Sequence, residues 1–260
     1  MFRVKKLKLS LMLIVSVFLF GLSLISVYGA EKTDDLWQKA VQIAAQSQKY
    51  IPGNVQTHVE EYNTRGKLTK EEETWLQLTA DENNQVKTKC LKALENGKDV
   101  TERENHHLDK FDMNKSQKSS KRTLTFGNDD VNPFDPKVQK DVYYHPTDQK
   151  ETINQQECVL YEYTWKKNDE RIQKGTAWLA VDTGLPLKLK FVLDPKPKYV
   201  KSFEATANFS RKDGLWHPEI GDMEASGGSW FKHFHVKVHF TLSEYWLYQS
   251  NENPTPNQKP

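Results

Sequence analysis

Residues 175–191 read GTAWLAVDTGLPLKLKF. On the first arm Ala177, Leu179 and Val181 alternate with Thr176, Trp178 and Ala180. On the second, Leu187, Leu189 and Phe191 alternate with Lys188 and Lys190. Successive strand side chains point to opposite faces, so each arm sets an apolar face against a more polar one. The Asp182-Thr183-Gly184 connection suits a hairpin with one left-handed residue, which Gly adopts without steric cost. Pro186 cannot donate to a ladder and belongs at a strand start, an edge or a bulge.

The flanking sequence repeats the style. Cys158–Trp165 puts Val159, Tyr161, Tyr163 and Trp165 on one face. Phe203, Ala205, Ala207 and Phe209 form a later strand, and Arg211-Lys212-Asp213-Gly214 turns into Leu215-Trp216-His217-Pro218. Ser226-Gly227-Gly228-Ser229 reads as a flexible turn before Phe231–Phe240 and Thr241–Tyr248. Upstream, Val55–Val59 and Trp75–Thr79 alternate, and Val86–Leu94 meets Lys98–Thr101 across Glu95-Asn96-Gly97, a strong hairpin signal. No solenoid-type repeat is present, and a recurring amphipathic strand argues for one meandering sheet. The expected fold class is mainly β, of α+β type.

Two helices are expected. Glu31–Tyr50 carries Leu36, Trp37, Ala40, Val41, Ile43 and Ala44 as a stripe at helical spacing, with Thr33 or Asp34 as cap and Ile51-Pro52-Gly53 as its end. It covers one sheet face, or lines a pocket from one side. A short helix ending near Tyr143 takes Asp135 as cap and Pro136 as first residue. Between them, residues 102–130 are polar, aperiodic and mixed in charge, and read as a solvated loop. The alternative is a basic run near 114–122 that meets phosphate headgroups.

Residues 1–30 have the form of a signal peptide, with Arg3, Lys5, Lys6 and Lys8 ahead of an apolar core and small residues at Gly29 and Ala30. An uncleaved N-terminal anchor is the alternative, since the apolar run nears spanning length. The expected organisation is a signal peptide at 1–30, one domain at 31–248 and a loose tail at 249–260. Localisation is then periplasmic or secreted, in the cell envelope. Removing the segment lowers Lys+Arg from 37 to 33 against 35 acids, a net of −2. Such a chain has no general pull toward nucleic acid. Cys90 and Cys158, the two cysteines, either pair in an oxidising compartment or stay as buried thiols.

Catalytic signatures are missing: no HExxH, P-loop, dinucleotide fingerprint or GxSxG occurs in the mature chain. No catalytic residue, cofactor or metal is assigned, although a small envelope hydrolase stays as a remote alternative. His233, His235 and His239 share a strand face. The first two lie about 6.6 Å apart and could share a metal, but nothing nearby supplies a third ligand, so solvent-facing histidines are expected. The positive signal is apolar strand faces. Trp178, Leu187, Leu189, Phe191, Val159, Tyr161 and Tyr163 are candidate walls of an apolar pocket of the kind that suits acyl chains.

The AWLAVDTGLPLKLKF hairpin, with the later GLWHPEIG segment, resembles the LolA/LolB-like group of periplasmic lipoprotein carriers and lipoprotein-sorting proteins. The resemblance implies an unclosed antiparallel half-barrel with helices as a lid, binding acyl chains. It implies a lipid or acylated lipoprotein as ligand, in a carrier or sorting role. A sensor or interaction domain of the same fold, with a membrane or envelope protein as partner, is the alternative.

Overall fold

The structure, a computed structural model, describes residues 35–248 apart from 48, 83–84, 119–131, 169–170, 197, 213 and 230–231. The expected signal peptide and tail lie outside the described residues. Helix α1 (Asp35–Ser47) leads into β1 (Tyr50–Ile51), β2 (Asn54–Tyr62), β3 (Leu68–Ala80), β4 (Val86–Glu95) and β5 (Lys98–Asp99). Helix α2 (Thr101–Lys118) and a 3-10 helix (Pro136–Asp141) follow. Strands β6 (Val142–Ile153), β7 (Gln156–Asn168), β8 (Arg171–Ala180), β9 (Pro186–Asp194), β10 (Val200–Lys212), β11 (Leu215–Ser229), β12 (Lys232–Ser243) and β13 (Trp246–Leu247) complete the chain.

Eleven strands form one antiparallel sheet in the order β5-β4-β3-β2-β12-β11-β10-β9-β8-β7-β6, and β1 pairs separately with β13. The sheet does not close on itself, since β5 and β6 are its two ends. The mainly β antiparallel sheet read from the strands is therefore observed, in the unclosed form that the hairpin resemblance implied.

Register fixes two contrasting faces. One row runs Tyr163, Gly175, Phe191, Ala205, Met223, Val238 and Val59 across seven strands from β7 to β2. Its side chains are buried. On β3 the next partner is Glu72, so the apolar row stops there. A neighbouring row on the same face sets Tyr161, Ala177, Leu189 and Ala207 side by side. The opposite face carries Glu162, Thr176, Lys190, Thr206, Asp222, His239, His58 and Glu73 in one row.

Helix α1 buries Trp37, Ala40, Val41 and Ala44 on the apolar face, and packs on β8, β11 and the 3-10 helix. Small residues at 40 and 44 bring the helix backbone close to the sheet, and each large side chain so buried contributes roughly 1.5–3 kcal/mol. The stripe read from the sequence is thus the buried one.

Three local readings change. Residues 101–118 are helical where a loop was expected. Helix α2 has acidic Glu102 and Glu104 in its first turn, where they complement the helix dipole. Asn105 clamps it to β4 by accepting from the Cys90 N–H and donating to the Cys90 carbonyl, both at 2.9 Å. These are polar devices that leave no apolar stripe to read. Residues 226–229 belong to β11 and not to a turn. A Cβ at Gly227 would lie 2.0 Å from the Tyr199 carbonyl oxygen, so the glycine admits close packing there. The short helix is 3-10 and stops at Asp141, and Val142 already begins β6. Its expected cap holds, with Asp135 Oδ1 accepting from the Lys137 N–H at 2.9 Å.

Candidate functional site

The apolar face and its cover form the candidate site. Trp37 of α1 is its hub. The indole stacks on Tyr144 at 4.3 Å between centroids and lies 4.7 Å from Phe134, 5.8 Å from Tyr161 and 6.0 Å from Tyr163. Beyond it, Phe209 stacks on Trp216 at 4.4 Å. Aromatic pairs of this kind add about 0.5–1.5 kcal/mol to the area they bury.

Polar bonds also tie the cover down. Trp37 Nε1 donates to Gln139 Oε1 at 3.0 Å, Gln38 Nε2 to the Tyr144 hydroxyl at 3.2 Å, and the Trp216 N–H to Ser47 Oγ at 3.0 Å. Gln139 in turn donates to the carbonyls of Pro133 and Asp135 at 2.7 and 2.8 Å, which joins α1 to the segment that carries Phe134.

Six of the seven expected wall residues lie on this face. Tyr161, Tyr163, Leu187, Leu189 and Phe191 are buried in the core, and Val159 is half-buried against it. Trp178 alternates to the other face of its strand, yet is buried and belongs to the same hydrophobic cluster. Its register partners are Leu160 and Lys188, its Nε1 donates to Glu151 Oε2 at 2.6 Å, and Lys188 Nζ sits 4.5 Å from its ring centroid. Alternation along β8 dictates this, because Ala177 and Leu179 occupy the covered side. Beyond the expected wall, Phe134 of the cover and Trp216 of β11 join the same cluster, and Phe203 and Phe234 of the sheet are partly buried against it. Only contacts between distant segments reveal them.

Burial raises the Tyr163 phenol pKa well above its ordinary value, partly offset by the Gln173 Nε2 donor at 2.9 Å. Tyr245 is raised for the same reason and, secondarily, by the Glu219 charge. Its hydroxyl donates to the Pro218 carbonyl at 2.6 Å. Cys90 and Cys158 are free, buried thiols, raised first of all by desolvation. The pairing left open by the sequence does not occur, because β4 and β7 stand eight strands apart in the sheet and a disulfide needs Cα atoms about 4.4–6.8 Å apart.

The polar face has two shallow hollows. One of about 270 Å³ is bordered by His58, Glu60, Asp222, Glu224, Lys237 and His239. The other, of about 460 Å³, lies nearer the β6 edge between Tyr143, Glu162, Thr176 and Lys190. The strand histidines meet carboxylates here: His235 Nε2 is 2.6 Å from Glu224 Oε1 and His239 Nδ1 is 2.8 Å from Asp222 Oδ1. No helix among the described residues is long and apolar enough to cross a membrane.

No family model and no curated protein matches the chain. Solved structures do. A LolA superfamily protein of Nitrosomonas europaea is 14% identical over 86% of this chain and 96% of its own, with a TM-score of 0.39. A DUF1329 family protein of Desulfovibrio piger is 11% identical over 87% and 96%, with a TM-score of 0.35. The Pseudomonas aeruginosa MucA/MucB complex supplies a match of 9% identity over 83% and 99%, with a TM-score of 0.24.

Proposed function

We propose that this protein is an exported lipid- or lipoprotein-binding protein that sequesters acyl chains on the apolar face of its open sheet, in a carrier or sorting role and without catalysis. The observation that carries the reading is the apolar row across seven strands, closed over by a 13-residue helix and one short segment. A helix of that length spans about 20 Å and is about 10 Å wide, less than seven strands at about 4.8 Å spacing. The hairpin resemblance adds the acyl chain as the ligand class.

The face is filled in this structure, and both hollows open on the other side. Binding therefore requires α1 and the Phe134 segment to lift together, exchanging their side chains for acyl methylenes. Each square ångström of apolar area kept from water contributes about 25 cal/mol, so the exchange is close to neutral and reversible. A carrier needs that balance.

Native mass spectrometry with lipid extraction, on protein exported into a bacterial envelope, tests this directly. A stoichiometric adduct that extracts as acylated lipid is expected, and Leu189→Glu, which sets a charge among Ala177, Ala207 and Phe191, abolishes it. A bare protein mass, with no uptake of added fatty acid or lipopeptide, overturns the carrier.

One observation favours a second reading. Strand β6 is an open edge of 12 residues that carries the exposed Tyr143. An envelope protein could add a strand there while the apolar face stays filled. Recovery of such a partner together with the bare mass would select this reading.

A further inference from the structure

The polar face holds a group of ligands that the strand histidines alone did not disclose. His58 on β2 stands opposite Glu73 on β3, and Glu71 lies one step diagonally on the same face. One ligand atom from each of the three falls within 4.8 Å of the others. His58 Nε2 is already 2.9 Å from Glu71 Oε1, and both side chains are about two-fifths exposed, 39% and 41%.

Carboxylates gather there, with Lys237 on the same face bordering the hollow. Glu71 and Glu73 are two apart on one strand face and therefore neighbours. Lys70 points to the opposite face, where it bridges Glu61 and Glu72. Asp222 and Glu224 add negative charge across the hollow that His58 borders. A divalent cation would offset the two neighbouring carboxylates.

We propose that His58, Glu71 and Glu73 bind one zinc ion. One imidazole with two carboxylates suits zinc, whereas calcium and magnesium take oxygen ligands. A tetrahedral ion about 2.1 Å from each ligand needs them roughly 3.4 Å apart, so small rotamer changes in the two flexible glutamates complete the set. Three protein ligands leave the fourth position for water. His239, the register partner of His58 on β12, borders the same hollow and is the nearest imidazole by register. The site lies on the face away from α1, so it is independent of acyl binding.

The test is zinc titration of tag-free protein against a chromophoric chelator, with metal content measured after desalting. One equivalent of zinc and a raised melting temperature are expected, with no such response to calcium or magnesium. His58→Ala and Glu73→Gln each weaken zinc binding by at least about tenfold while leaving the circular dichroism of the metal-free protein unchanged. His235→Ala, on the same face but outside the three, binds as the wild type does. Failure of the wild-type protein to retain zinc overturns the proposal, as does wild-type affinity in Glu73→Gln. If His58→Ala does not fold, Glu73→Gln decides alone.

Discussion

A Cβ at position 184 would stand 2.6 Å from the Lys39 Cβ and 3.0 Å from the Leu36 carbonyl oxygen, and Gly184 holds φ +71°. The turn of the deciding hairpin is therefore also the seat of α1. Gly66 has nearly the same φ, +72°, with nothing within 4 Å of its would-be Cβ. Gly66→Ala should cost only the left-handed penalty, about 1 kcal/mol. Gly184→Ala adds an overlap with the Lys39 Cβ and a tight approach to the Leu36 carbonyl oxygen, and should cost about 2–4 kcal/mol. Urea unfolding of the two variants measures the difference, and equal losses would mean that α1 does not rest on the turn. The two buried phenols set an alkaline limit. An unfolded tyrosine ionises near pH 10, whereas Tyr163 and Tyr245 are raised in the fold by burial. The folded state then holds protons that the unfolded state releases, so the stability they supply is complete below about pH 10 and is lost as pH rises beyond it. Ultraviolet titration should show both phenols ionising together with unfolding, and Tyr245→Phe should raise the pH of that transition. Smooth ionisation of every phenol in a folded chain would refute this.

Among the elements, α1 joins the cover to the sheet through Trp37. Trp37 is fully buried and touches the cover and the sheet together. Trp37→Ala should destabilise by about 3–5 kcal/mol, read as a lower urea midpoint. Trp37→Phe keeps the ring but loses the donor to Gln139 and should cost about 1 kcal/mol. If both variants cost the same small amount, α1 is not an integral part of the core. Helix α1 was legible because its stripe has helical period, and the hairpin because its arms alternate cleanly around Gly184. The β4–β5 hairpin was legible through Asn96-Gly97, which hold φ 51° and 76°. Helix α2 was not, since polar tethers and charge placement hold it and no apolar face marks it. Strand β6 was missed for a related reason: as an edge strand it is mostly exposed, and YYHPTDQKETI offers no alternation to read.

At the scale of the whole molecule, alternation told which residues share a strand face but not which face is covered. That depends on which way each strand's covered set points, and Trp178 shows the cost of guessing. By register it stands with Lys188 and Glu151, although its ring is buried in the main cluster. The polar-face ligands were hidden for the same reason, since His58 and Glu73 meet only through pairing of two strands. Strand order also decides the cysteines. Cys90 on β4 and Cys158 on β7 are separated by eight inter-strand steps, about 38 Å along the sheet at 4.8 Å each. No local rearrangement joins them. Export into an oxidising compartment should therefore leave both thiols free, since each is buried and burial disfavours the reactive thiolate. Ellman's reagent should label neither quickly in the native protein and both in urea, and reductant should leave the melting temperature unchanged. A denatured protein without titratable thiols, lighter by two hydrogens, would show the two cysteines joined and the strand order wrong.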